Sequence, residues 1–352
     1  MDETSLDWYD DRAASQEFGV VRLYLDFGGD FARVRPVLQA WYDEAVDLLV
    51  PELGAGTRAP RSGRAVDEAG RGAGRRQVSA WSDALTDNFC QISWGWSNRR
   101  RESALDLYVF RFAYPDHVML QANVSLRDQP GRLTELAPKL QEFLRRVADS
   151  TDPAYGEVSL DGGAVSAETL LDMGLYRIRT DSAAESRTFL RGYEWVTICP
   201  RELAERLGGV AALTSCGAFA EVVPLAAGGV LVRAGDADEP YRPESIQVVF
   251  RALAPVLPPG QPRGLPGYDL SRLVFADAAH PDSANPAPET AEPVLDDEQT
   301  RMISDFAVEA IRNGWLISEP LPPDHPGVAA GLLDGHVRMG LTEEGRQRAE
   351  EL

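Results

Sequence analysis

The sequence predicts a mixed α/β protein of the α+β kind, in which the order strand, helix, hairpin, helix occurs twice. Apolar side chains alternate along residues 20–27, as they do in a half-buried strand. A helical apolar period covers residues 33–50 and recurs near 131–149. We therefore expect two ferredoxin-like units on antiparallel sheets, followed by a small C-terminal unit that is helical or winged-helix-like.

The first unit is predicted to cover residues 1–160. Between its two helices, three segments have the composition of strands: 90–97, 104–112 and 117–126. Residues 54–77 are rich in glycine and arginine and lack an apolar period. That composition predicts a long mobile loop.

The second unit, residues 161–260, repeats the order of elements. A strand is predicted at 193–199, and a short helix starts at Pro200. This helix ends at Gly208-Gly209, because glycine readily takes the left-handed conformation that stops a helix. The remaining elements are a hairpin of strands 219–225 and 229–234 and a helix near 244–254.

The last ninety residues form a different kind of segment. Residues 261–295 are rich in proline, glycine and acids, which is typical of a linker. Residues 296–352 are predicted to form the small C-terminal unit. It comprises a helix over about 296–312, a short apolar piece at 315–317, and a final helix with Thr342 as its N-cap.

The net charge of the chain is −20, which restricts its partners. Nucleic acids and anionic membranes need lysine and arginine to neutralise phosphate, so we predict neither as a partner. A basic protein would be attracted by this charge, although the charge could equally serve solubility alone. The sequence has no apolar run of membrane-spanning length, and its N-terminus lacks the apolar core of a signal peptide. We therefore expect a cytoplasmic protein.

Residues with catalytic potential are sparse. The chain has three cysteines without CxxC spacing and four histidines without a ligand pair, and it contains neither a P-loop nor a GxSxG elbow. We therefore predict no enzyme activity, no metal and no cofactor. The alternative is a hydrolase that uses Cys216 or a pair of carboxylates, but a buried and inert Cys216 is the favoured interpretation.

Two groups of residues are candidates for binding a partner. Trp94 and Trp96 share one face of a predicted strand, where they either anchor a partner or, as we favour, fill the core. The loop 235–241 joins a strand to a helix and is either an interaction loop or a solvated one. Its acids and its tyrosine suit charge-assisted bonds and an aromatic anchor: Asp236, Asp238, Glu239 and Tyr241.

Residues 191–257 resemble the bacterial type VI immunity family. Its Gly-x-x-Trp-Leu-Thr strand is matched at Gly192, Trp195 and Thr197, with Val196 as a departure. The family's helix ending in Leu-Gly-Gly is matched at 207–209. Three further features match: the Gly-Val-Leu strand at 229–231, Ala234-Gly235, and the helix that ends near Pro255.

The resemblance implies a protein that binds and neutralises a cognate bacterial toxin by covering its working surface. With a charge of −20, the toxin is expected to be basic, for example a nuclease. A DNA-binding regulator built on the C-terminal unit is the main rival, and a housekeeping scaffold is another. The rival regulator is disfavoured because acids outnumber arginines more than twofold in residues 295–352. No oligomeric state is predicted.

Overall fold

The structure of the protein is a computed structural model. It describes residues 16–53, 63–67, 76–97, 103–112, 116–127, 131–160, 168–236, 243–264, 270–283, 316–319 and 338–341.

One antiparallel sheet of ten strands organises the molecule. Its strands are β1 (Gln16–Leu25), β2 (Gly63–Asp67), β3 (Arg76–Val78), β4 (Phe89–Ser97), β5 (Ser103–Phe112), β6 (His117–Arg127), β7 (Tyr155–Ser159), β8 (Val196–Cys199), β9 (Glu221–Pro224) and β10 (Val230–Arg233). They are ordered β3-β2-β4-β5-β6-β1-β7-β8-β10-β9. A separate two-stranded antiparallel sheet pairs β11 (Leu316–Glu319) with β12 (Arg338–Leu341).

Helices lie on both faces of the large sheet. They are α1 (Phe31–Glu44), α2 (Trp81–Ala84), α3 (Arg132–Asp149), α4 (Leu170–Gly174), α5 (Arg179–Ala184), α6 (Arg201–Arg206), α7 (Gly209–Ser215) and α8 (Pro243–Leu253). A π-helical turn (Ala45–Leu49) and a 3-10 turn (Val50–Leu53) extend α1, and a 3-10 turn (Ala254–Val256) follows α8. None of the helices in the described ranges has the length and apolar character needed to cross a bilayer.

The face that carries α1 and α3 is called the first face. The predicted apolar period of α3 is confirmed, because its stripe from Leu133 to Val147 is buried. Trp41 of α1 meets Phe143 of α3 with ring centroids 4.5 Å apart. Gly19 of β1 lets α3 approach closely, since a Cβ atom there would lie 2.7 Å from Leu133 Cδ1. Burial of this apolar stripe holds α3 on the sheet.

The second face carries a separate core under α6 and α8. Alternate side chains of one strand point to opposite faces, so Leu231 of β10 joins the first core whereas Val230 and Val232 join the second. Phe250 of α8 packs in this second core with its ring centroid 5.8 Å from that of Tyr193. Strand β8 is buried on both faces, as expected of a strand covered by helices on each side.

The structure confirms a mixed α/β protein with an antiparallel sheet, but its strands are not divided between two sheets. Strand β7 pairs with β1 on one side and β8 on the other, so the large sheet continues across the boundary predicted at residue 160. Val158 of β7 lies opposite Val21 on one side and Val196 on the other. The two ferredoxin-like units and the domain division therefore stay predictions.

The prediction of a loop throughout residues 54–77 is wrong where β2 and β3 form. Strand β2 pairs with β4, and Ala65 is its buried contribution to the first core. Gly63 lies against the Trp94 ring, where a side chain would clash. An alanine and a glycine provide too little apolar character for the alternation to be visible in the sequence.

The segment predicted as a linker contains a packed stretch. Leu270, Leu273, Val274 and Phe275 are buried in the second core, and the Val274 backbone N–H donates to Tyr193 Oη at 2.9 Å. Further along the chain, the structure describes only β11 and β12, and the helices predicted at 296–312 and after Thr342 lie outside the described residues. The winged-helix-like assignment therefore stays a prediction.

We predict that Gly208→Ala destabilises the protein by about 1–2 kcal/mol. The backbone of Gly208 is left-handed, with φ of 87°, and an added Cβ would lie 2.7 Å from that of Ala212. Urea unfolding measures the loss. The matched control is Gly235→Ala, because Gly235 has ordinary φ and nothing within 4 Å of an added Cβ. Equal unfolding midpoints for the two variants would contradict the prediction.

Candidate functional site

Trp94 and Trp96 lie in the first core and not on the surface. Both project from β4 toward the first face and are 4% and 3% exposed. The Trp94 ring makes an edge-to-face contact with Trp81 at 6.1 Å, and Tyr42 lies 5.9 Å from the Trp96 ring. Aromatic rings in such contacts fill a core, which is the favoured one of the two interpretations given for these residues, and burial leaves neither ring available as a partner anchor.

Of the four predicted binding residues in the loop 235–241, Asp236 is the one that lies within the described residues. It is exposed, and its carboxylate accepts a hydrogen bond of 2.9 Å from Arg233, which also contacts Glu221 at 3.2 Å. The predicted site residues Asp238, Glu239 and Tyr241 lie outside the described residues. The binding role of this loop stays a prediction.

A buried ion pair joins the two halves of the sheet on its second face. Arg22 of β1 donates to Glu157 of β7 at 2.7 Å and to Gln121 of β6 at 3.1 Å. Tyr155 donates its hydroxyl to the second oxygen of Glu157 at 2.8 Å. Burial, reinforced by the Glu157 charge, holds the pKa of Tyr155 well above its usual value, so this tyrosine remains a donor. The hydrogen bonds of the Arg22 guanidinium therefore connect β1 to both β6 and β7.

A second buried ion pair attaches α4 and α5 to the sheet. Arg191 and Asp172 are fully buried and contact each other at 3.0 Å. Asp172 also completes a capping box with Thr169 at the start of α4. The Arg191 guanidinium lies 4.2 Å from the centroid of Tyr24 on β1. The Thr-x-x-Asp spacing was the one sequence signal that could have revealed this arrangement.

The cysteines differ in exposure. Cys199 is fully buried, and burial raises the pKa of its thiol to about 12. Cys216 is exposed at the end of α7, contrary to the buried state that the sequence analysis favoured. Within the described ranges, no group of three His, Cys, Asp or Glu side chains is arranged to hold a metal ion.

The second face has an open patch beyond the area that the helices cover. Side chains of β4 and β5 alternate strictly here: those on the first face are buried, and those on the second are half-buried. Phe18 of β1 points to the second face and is 40% exposed. We define the open patch by Phe18 together with Gln91, Ser93, Gly95, Tyr108, Phe110 and Asn123.

An aromatic row leads from the open patch to α5. Tyr108 stacks beside Phe110 at 6.0 Å between centroids, and Phe110 beside Phe112 at 6.3 Å. His117 stacks on Phe112 at 4.8 Å. The guanidinium carbon of Arg179, the first residue of α5, lies 3.9 Å from the Phe112 centroid. The row therefore offers an aromatic surface with a cation at one end.

Comparisons with known proteins give a structural likeness without a match in sequence. No family model and no curated protein matches the chain. Among solved structures, the chain is similar to one described as the Pseudomonas aeruginosa T6SS protein PA0821. The two are 15% identical with a TM-score of 0.48, and the alignment covers 72% of this chain and 78% of the other.

We predict that Glu157→Gln destabilises the protein by about 3–5 kcal/mol, because it leaves the buried Arg22 charge uncompensated. Chemical denaturation measures the change. Asp87→Asn is the matched control, because it removes one carboxylate from an exposed pair with Arg35. That pair is worth less than about 1 kcal/mol. Similar losses for both variants would refute a central role for the buried pair.

We predict that iodoacetamide labels Cys216 in the folded protein, whereas Cys199 reacts only after unfolding. The exposure of Cys216 and the burial of Cys199 give the reason. Mass spectrometry of tryptic peptides over a time course measures both rates. Modification of Cys199 at the rate of Cys216 would show that the second core opens readily. Labelling of Cys216 much faster than that of a free thiol would favour the rival hydrolase.

Proposed function

We propose that the protein binds and neutralises a cognate toxin of a type VI secretion system in the cytoplasm of the producing cell. The toxin is a basic protein, and inhibition occurs by occlusion of its working surface. The observation that carries this proposal is the open patch, which presents half-buried and exposed aromatic side chains on a strongly acidic molecule.

Half-buried and exposed aromatic side chains on a sheet face are suited to burial by a protein partner. Tyr108 and Phe110 are held in place by stacking, so little conformational freedom is lost when a partner covers them. Aromatic residues also dominate the energetic centres of interfaces. The small polar residues Ser93 and Asn123 beside them keep the uncomplexed surface hydrated. The patch therefore combines binding potential with solubility.

The charge of −20 supports a basic partner. Complementary charge accelerates encounter and favours basic proteins over acidic ones. Protection of a cell requires slow dissociation and an affinity of nanomolar or better, which is roughly −12 kcal/mol. An interface on the order of 1,600 Å² with a few buried anchors reaches that value.

The resemblance of residues 191–257 to the immunity family supports the same proposal. Its matched glycines have definite structural roles: Gly208 and Gly209 take left-handed backbone conformations that separate α6 from α7. The matched Trp195 donates its indole N–H to the Gly235 carbonyl at 3.0 Å. These residues build the scaffold, so the matched residues themselves do not identify the partner.

We predict that co-expression of this chain prevents killing by the toxin-like product of the adjacent reading frame. The purified pair should bind with nanomolar affinity, and raising the salt concentration should slow association more than it speeds dissociation. Growth assays and surface plasmon resonance provide the measurements. A pair that neither binds nor rescues growth would contradict the proposal. Salt-dependent retention on DNA would favour the regulator, and turnover of a small substrate would favour the hydrolase.

The open patch is tested by a matched pair of surface variants. Phe18→Ser removes an apolar side chain from the patch, and Val248→Ser removes one of similar exposure, 44%, from α8. We expect Phe18→Ser to weaken toxin binding at least about tenfold and Val248→Ser to leave it unchanged. If only Val248→Ser weakens binding, the toxin binds elsewhere.

A further inference from the structure

Arg179 lacks the hydrogen bonds that satisfy comparable arginines in the described part of the chain. Its side chain is half-buried, and its Nε atom is buried without a hydrogen-bond acceptor. By contrast, Arg22 and Arg272 on the same face each donate to a carboxylate at 2.7 Å. The guanidinium of Arg179 is instead held over the Phe112 ring.

An unsatisfied guanidinium in a half-buried position is unfavourable and calls for an explanation. Burial lowers the pKa of Arg179, and the like charge of Arg191 adds to this effect, although Glu168 partly offsets both. The chain contains 55 acids against 35 basic residues, so carboxylates are not scarce. In native folds a buried N–H group without an acceptor is uncommon, and an ordered water, an ion or a polar group of a ligand is among the explanations for one.

The residues that precede Arg179 form an exposed apolar surface on a strained backbone. Tyr176 has φ of 53°, a left-handed conformation that disfavours residues other than glycine. Its side chain is 52% exposed, and that of Ile178 is 59% exposed. The left-handed residue ends α4: the Tyr176 N–H donates to the Met173 carbonyl at 3.0 Å, and the Arg177 N–H donates to the Asp172 carbonyl at 2.8 Å. The helix end therefore fixes the position from which the exposed Tyr176 ring projects.

We propose that residues 176–179 contact the toxin directly, with Arg179 binding a carboxylate of the toxin and with Tyr176 and Ile178 packing around that contact. This inference rests on the proposed function and identifies one specific contact within it. The Arg179 guanidinium covers the buried Phe112 ring at the end of the aromatic row, and the exposed Tyr176 and Ile178 lie three positions and one position before Arg179 in the chain. Arginine and tyrosine are the residue types most enriched at energetic centres of interfaces.

A carboxylate fits Arg179 better than other acceptors do. A guanidinium donates two parallel hydrogen bonds to a carboxylate, and stacking on Phe112 fixes the plane in which they are formed. A phosphate group would offer similar acceptors. However, a nucleic acid brings a polyanion toward a chain with charge −20, and that approach is repelled. A basic toxin still carries individual carboxylates, so long-range attraction and this short-range contact are compatible.

The test compares Arg179→Gln with Arg35→Gln, which removes the same charge from an exposed arginine. Affinity for the toxin is measured by isothermal titration calorimetry, and melting temperature by differential scanning calorimetry. We expect Arg179→Gln to weaken binding at least about tenfold while lowering the melting temperature no more than Arg35→Gln does, because both variants lose a cation–π contact and only Arg35→Gln also loses an ion pair. Arg35→Gln should bind like the wild type. Arg179→Lys should not restore full affinity, since lysine lacks the planar pair of donors.

A second variant measures the contribution of the Tyr176 ring to toxin binding separately from that of the Arg179 charge. Tyr176→Gly removes the exposed ring and suits the left-handed backbone. We expect it to weaken toxin binding while leaving the melting temperature unchanged or higher. Wild-type affinity in both Tyr176→Gly and Arg179→Gln would overturn the inference and leave the proposed function standing.

Absence of any binding between the wild type and the toxin would refute the proposed function instead. The contact is then tested without the toxin by titrating the protein with N-acetylglutamate and following the backbone amide signals of residues 176–180 by NMR. We expect saturable shifts at millimolar concentrations in the wild type and none in Arg179→Gln. The absence of shifts in the wild type would overturn the carboxylate site.

Discussion

The pairing of β1 with β6 on one side and with β7 on the other is the constraint on which the rest of the structure depends. It joins the strands before α3 to those that follow, so the sheet can support a core on each face. Every side chain of β1 from Val20 to Leu25 must therefore be satisfied in an interior. Leu23 does so in the first core and Tyr24 in the second, whereas Arg22 requires the Glu157 carboxylate. A single charged residue thus makes the central strand dependent on the strand that follows α3.

The ion pairs also explain how an acidic chain positions its arginines. Arg22, Arg191 and Arg272 are placed beside carboxylates on the second face, where each charge is shielded from water. These pairs fix the orientation of the segments that they join, since a displaced partner leaves a buried charge. The remaining acids give the surface its net charge. Arg179 departs from this arrangement, and its departure occurs where the aromatic row ends.

The spacing of apolar residues in the sequence predicted those helices and strands that bury one face along their whole length. The stripe of α3 and the alternation of β4 to β6 were visible because each contributes many large apolar side chains to one face. Strand β2 was missed because its main core residue, Ala65, is small. The strand forms by pairing with β4, which its own sequence does not reveal. The buried pairs were missed for a related reason. Glu157 and Arg22 are 135 positions apart, and only the folded sheet brings them together.

The open patch follows from the way the second core ends. Met119 and Phe112 are its apolar contributions from β6 and β5. The second-face side chains become half-buried from Asn123 onward on β6, beyond the buried Gln121, and from Phe110 to Asp106 on β5. None of the helices in the described part of the chain packs over Tyr108, which stays half-buried, and burying it fully would stabilise the monomer. The polar neighbours Ser93 and Asn123 limit the exposed apolar area in the uncomplexed protein. A partner that covers the patch supplies the missing layer, and the free energy of that burial then contributes to binding instead of folding.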